Sequence, residues 1–170
     1  MKKKRASSVT KHYVAHKSAA RELVLERLQH FNQHYGLTWN RVAIRNQKRC
    51  WGICSSKKNL NFSYKLLWLP PHLRDYIIVH ELCHLVEMNH GKNFWQLVAE
   101  QVPDYKRCVA ELKVVDRKGQ SIAVLSQLAT QDTFVVSDIL NDTQIKTAHS
   151  TVSYIHRGGT ARSDESDSVT

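Results

Sequence analysis

The stretch His80-Glu81-Leu82-Cys83-His84, continued as far as His90, limits the fold more than any other part of this chain. Two histidines four apart on a helix differ by about 40° and about 6 Å of rise, so both imidazoles reach one point in space. A glutamate beside the first can meet a water held by a metal at that point. With ten histidines in 170 residues, chance placement gives this five-residue pattern on the order of 0.02 times, and about 0.001 times with a third histidine six residues on.

His90 adds a demand on the backbone. On a continuous helix it would lie about 240° round from His84 and about 9 Å further along, too far to share an ion. If it is a ligand, the helix stops between them and the chain doubles back. Asn89 and Gly91 flank it, and both residue types tolerate the left-handed conformation that ends helices. A carboxylate is the rival third ligand: Glu87 from the same helix, or Glu100 or Glu111 from a following one. Cys83 lies about 60° from His80 on the helical wheel and reads as a small packing residue.

Three neutral imidazoles suit zinc in a tetrahedral site with one open position, where a water becomes acidic towards pH ~7. Glu81 then takes the proton and returns it to the leaving group. Such chemistry cleaves amides and, in principle, esters or phosphoanhydrides. Glu87 either orients a ligand or faces solvent.

Around this centre the chain suits one domain. No run of eighteen apolar residues suggests a membrane span. The basic start Met1-Lys2-Lys3-Lys4-Arg5 leads into polar sequence rather than an apolar core, so a secretory signal is not expected and a cytoplasmic location is. Cys50, Cys54, Cys83 and Cys108 form no metal-knuckle spacing and read as free thiols in a reducing compartment. The net charge of +10 is uneven: residues 1–60 carry 14 Lys/Arg against 2 Asp/Glu, residues 61–120 carry 8 against 7, and residues 121–170 carry 3 against 6. A basic N-terminal half suits an anionic partner such as nucleic acid or a nucleotide, or is simply a solvated surface. Few aromatics are interleaved with the charges.

Residues 1–16 read as a flexible basic arm. A folded domain is expected over 17–118. It begins with an amphipathic helix over Ser18–Tyr35, with Arg21, Glu22, Glu26 and Arg27 facing water and Gly36 as its stop. Short strands follow at Val42–Arg45, Trp51–Cys54 and Leu60–Phe62, with a turn over Ser55–Asn59 and a glycine, Gly52, where backbone must approach closely. They suggest a small, mostly antiparallel sheet. Pro71 opens a buried helix carrying the histidines, expected from Leu73 to Met88. Its Val86 is expected on the buried face, and His72 and Asp75 as capping or surface groups. Two more helices start near Asn93 and Asp104, with Phe94 and Trp95 wedging the turn that places His90. Residues 119–170 form a partly disordered extension, with short elements at most near 122–125 and 134–136. The whole is α+β.

Five blocks together resemble a known family: Trp51-Gly52-Ile53-Cys54-Ser55; Asn59-Leu60-Asn61-Phe62; Leu69-Pro70-Pro71; Asp75 through Leu85; and Asn89-His90-Gly91-Lys92-Asn93-Phe94-Trp95. In order and spacing they resemble the YgjP-like metallopeptidase domain, related to the SprT-like zinc proteases. The resemblance covers about residues 18–116. It implies a zincin-like, gluzincin-type fold, with His80, His84 and His90 as zinc ligands, Glu81 as general base and Trp51–Ser55 beside the active-site helix. Ile53 and Gly91 depart from it, each standing where the family commonly has Ser.

The expected activity is therefore a zinc-dependent hydrolase, a metallopeptidase acting on polypeptides. Two alternatives stand beside it: a nucleoside triphosphate pyrophosphatase-type hydrolase, and a nucleic-acid-associated module with a structural zinc. Sequence leaves the oligomeric state open and gives no membrane partner.

Overall fold

The computed structural model describes residues 8–118. Residues 1–7 of the basic arm and the whole extension 119–170, with the elements expected in it, lie outside the described residues. The order is α1 (Ser8–Tyr35), β1 (Arg41–Arg45), β2 (Gly52–Cys54), β3 (Asn59–Ser63), a 3₁₀ turn (Tyr64–Trp68), α2 (Pro71–Cys83), α3 (Lys92–Gln101) and α4 (Tyr105–Lys118). This is an α+β fold, as expected. Among the described residues no helix is long and apolar enough to cross a membrane.

Helix α1 starts ten residues before the expected Ser18, so residues 8–16 are helix rather than arm. The reason lies in rings, not aliphatic side chains. Tyr13 donates its hydroxyl hydrogen to the Ile44 carbonyl (2.8 Å) and sets its ring edge-on to Tyr64 (5.3 Å). His12 and His16, one turn apart, stack on each other at 4.1 Å and both pack against Trp68. A search for aliphatic periodicity passes over such contacts. Further along, Ala20, Val24, Leu28 and Phe31 fill the core, and Gly36 ends the helix with φ +61.

Helix α1 also ties the other layers together. Arg27, expected in water, makes a two-pronged ion pair with Asp75 of α2 (2.8 and 2.9 Å). Tyr35 donates to the Leu97 carbonyl of α3 (2.7 Å), and His34 meets Glu100. Arg21 reaches the Val42 carbonyl of β1.

The sheet has the order β1-β3-β2. It is mixed rather than mostly antiparallel: β1 runs parallel to β3 along five residue pairs, and β2 runs antiparallel to it along three. Proximity in sequence suggested hairpins. Only β2 and β3 form one, closed by a turn in which Lys58 donates to the Ser55 carbonyl. The segment after β1 crosses over, so β3 lies in the middle. Alternation sends Val42, Ile44, Leu60, Phe62 and Cys54 into the core beneath the helices.

The apolar run Leu66–Leu69 belongs to a 3₁₀ turn, entered through Ser63, whose hydroxyl accepts from the Lys65 N–H. Pro71 opens α2, which is buried on nearly every side from Leu73 to Cys83. His72 and Asp75 do more than cap. His72 and Arg107 hold the fully buried Glu111 carboxylate from either side, joining α2 to α4.

Tyr13→Ala should remove a hydrogen bond and an edge-to-face ring pair, together about 2 kcal/mol. That corresponds to a melting temperature about 5–10 °C lower by scanning calorimetry. An unchanged melting temperature would make residues 8–16 an appendage.

Candidate metal centre

Helix α2 ends earlier than its apolar pattern suggests, at Cys83 rather than Met88. His84 is the cap, with φ −66 and ψ −14. Beyond it the chain tightens into three-residue bonds, Leu85 N–H to Leu82 C=O and Val86 N–H to Cys83 C=O. Val86 and Met88 are consequently exposed. The reversal does not use the left-handed conformation expected of Asn89 or Gly91. Among the described residues only Gly36 and Lys58 have positive φ. Gly91 is extended and caps α3.

The reversal brings the three imidazoles together. His84 Nε2 lies 3.0 Å from His80 Nε2, and His90 Nε2 lies 3.1 Å from it. The three ligand atoms all fall within 4.8 Å of one another. His80 and His84 are buried and His90 partly so. Among the described residues no carboxylate belongs to this cluster. Glu100 is engaged with His34, Glu111 with His72 and Arg107, and Glu87 accepts from the Asn89 N–H.

The donor set fits a cation. His84 Nδ1 lies 3.0 Å from the Glu87 carbonyl, which can accept only from an N–H. With the proton on Nδ1, a neutral His84 presents a bare lone pair at Nε2. His80 Nδ1 lies 3.3 Å from the Tyr76 hydroxyl, which can fix the same tautomer. Three lone pairs facing inward at this spacing approach the ~3.3 Å edge of a tetrahedron with bonds of ~2.0–2.1 Å. Among the described residues the cluster contains no thiol. All four cysteines are free, and burial pushes Cys54, Cys83 and Cys108 up to about 12, so they stay protonated near neutral pH.

Phe94 and Trp95 wedge this site as expected. Phe94 is fully buried, its centroid 4.8, 4.5 and 4.7 Å from those of His80, His84 and His90. Trp95 flanks His80 and His90 and stacks on Tyr105 of α4 (4.8 Å, 14°). Sequence reading missed the Tyr76 hydroxyl and the Glu87 carbonyl. Tyr76 was findable, standing four before His80 on the same helix face. The Glu87 carbonyl had no side-chain signal.

Glu81 is fully buried, and neither carboxylate oxygen has a well-formed hydrogen-bond partner. Burial pushes its carboxyl well above the usual carboxylate range, against a weaker downward pull from the Cys54 backbone N–H. An orphaned acid in such a place is what an adjacent cation would compensate. Its side chain lies on Gly52 of β2. A Cβ there would fall 2.6 Å from Glu81 Cγ and Oε1, so the close approach expected at this glycine is to Glu81. Trp51 holds β2 in place through its indole N–H to Asp116 of α4 (3.1 Å) and its carbonyl to the Ser63 N–H.

A model of the YgjP-like metallopeptidase domain matches residues 2–114. The chain belongs to that family. Among solved structures, the metallopeptidase zymogen of Pyrococcus abyssi abylysin is similar in fold, with a TM-score of 0.50 and 24% identity, covering 55% of this chain and 95% of that one. No curated protein matches significantly. The family match begins well before Ser18, which agrees with the early start of α1. Family and fold make this a metallopeptidase-type hydrolase with three histidines placed for a metal.

His84→Ala and His90→Ala should each lose the bound metal, read by elemental analysis after gel filtration. Chelation of the parent protein should lower its unfolding free energy by the linkage contribution, about 2.7 kcal/mol at a hundredfold excess of metal over its dissociation constant, read as a lower melting temperature. Full metal content in both variants would remove the site.

Proposed function

We propose that this chain is a zinc-dependent peptidase in which His80, His84 and His90 hold the ion and Glu81 is the general base. The observations that carry the reading are the convergence of three Nε2 atoms and, one residue after the first of those histidines, a buried carboxyl with no hydrogen-bond partner on either oxygen. Zinc, when bound, supplies Lewis acidity towards water and towards a carbonyl oxygen. The chain's own groups do the rest. Glu81 takes the proton from the attacking water and later delivers it to the leaving amine, a transfer worth roughly 10²–10⁴ in rate. Gly52 gives Glu81 the space it occupies. Tyr76 and the Glu87 carbonyl keep the imidazole lone pairs pointing inward. Phe94 closes the apolar side.

A polypeptide substrate is favoured by β2. Among the described residues it is an edge strand, and it carries the glycine in contact with Glu81. An extended peptide can add to such an edge through main-chain hydrogen bonds and lie across the site. Four free thiols fit a reducing compartment such as the cytoplasm.

Glu81→Gln should keep its zinc and lower kcat on an unfolded polypeptide by at least about 10²-fold. Full turnover in that variant would end the mechanism. Hydrolysis of nucleoside triphosphates but no polypeptide, in a side-by-side panel, would replace the substrate class. Gly52→Ala should also keep its zinc yet lose about 10²-fold in kcat, because a displacement of about 1 Å at a reacting group costs that much. Unchanged kcat there would separate Glu81 from the reaction.

A further inference from the structure

The face of the sheet turned away from the helices has no part in that chemistry. Alternation points Arg41, Ala43 and Arg45 of β1, Asn59 and Asn61 of β3, and Ile53 of β2 to this side. The ladder sets Ala43, Asn61 and Ile53 in one row across the three strands, with Arg41 beside Asn59. Further cations lie at both ends. Lys57 and Lys58 come from the β2–β3 turn, which is fastened beside the start of β1 by the Asn40 N–H to the Lys58 carbonyl (2.8 Å). At the other end Lys48 and Arg49 follow β1, and Lys65 follows β3 close enough to Lys48 that their like charge, after burial, pulls the Lys65 ammonium down.

Seven Lys/Arg thus lie between residues 41 and 65, and no Asp or Glu occurs between Glu26 and Asp75. Among the described residues none of the seven has an ion pair. The pairs present use Arg27, His34, His72 and Arg107 instead. Concentrating unneutralised charge on one face lowers stability through self-repulsion and is relieved by a polyanion.

We propose that this face binds the phosphate backbone of duplex nucleic acid without reading its sequence. The two cationic ends are separated by the four steps of β1, about 13 Å, comparable with the ~12 Å width of a duplex major groove. The outward side chains of the three strands include no aromatic ring on which an unpaired base could stack, which disfavours a single-strand site. Asn59 and Asn61 supply neutral donors between the charges. The face is independent of the metal.

Fluorescence anisotropy of the full chain with a labelled DNA duplex of about 20 base pairs, titrated at several salt concentrations, tests this. Four to six phosphate contacts give a slope of log K against log salt of about −4 to −5, and an affinity about 10²–10³-fold lower at 200 than at 50 mM salt. The triple variant Arg41→Gln, Arg45→Gln, Lys57→Gln should make the slope shallower by about 3 on every sequence tried, while its zinc content stays that of the parent and its melting temperature does not fall, because relieving like-charge repulsion can only raise it. Lys106→Gln, on α4, should change nothing. No binding at low salt would overturn the proposal. So would binding indifferent to the triple variant, binding abolished by a chelator, or displacement of the duplex by poly-glutamate as readily as by unlabelled duplex, which would assign the face to acidic polypeptides.

Discussion

Two imidazole nitrogens, of His84 and His90, held 3.0 and 3.1 Å from that of His80 define what the rest of the fold has to do. A helix can offer two of the three but not the third. Helix α2 therefore ends at Cys83, and six residues after His84 the chain has turned far enough to present His90. The neighbouring elements hold that turn shut. Phe94 fills the space between the rings. The Glu87 carbonyl, freed by the end of the helix, accepts a hydrogen bond from the His84 Nδ1–H. Helix α1 fixes α2 through Arg27–Asp75 and α3 through Tyr35–Leu97. A long first helix, rather than the small sheet, is thus the frame on which the site is built.

The second constraint is steric. Glu81 is enclosed, and the strand below it comes so close that only a glycine fits. Trp51, one residue earlier, anchors that strand to α4. Acid, glycine and tryptophan form one mechanical chain from the edge of the sheet to the last helix. The same strand turns Ile53 to the opposite face, so β2 separates a buried acidic site from a cationic surface. Its two faces carry different chemistry because side-chain direction reverses at each residue.

What could be read from sequence followed physical periodicity and composition. The histidine pattern, the stop between His84 and His90, the glycine needing close approach and the three strands and three helices after α1 were all legible, because each rests on local geometry. The start of α1 was not, since Tyr13, His12 and His16 bind through rings and hydroxyls to residues more than thirty positions away. The parallel pairing of β1 with β3 was not, since short strands carry no mark of their partner's direction. Nor was the way the chain reverses after α2. Asn89 and Gly91 suggested a left-handed stop, whereas tightened three-residue bonds after Cys83 do the work with ordinary backbone angles.

The central claim is that these three histidines, and no thiol or carboxylate, hold an ion with a place left for water. X-ray absorption at the zinc edge of the metal-loaded protein measures this shell directly. The structure predicts three imidazole nitrogens and one further light atom at about 2.0–2.1 Å. A sulfur at about 2.3 Å, or a fourth protein ligand closing the shell, would contradict it.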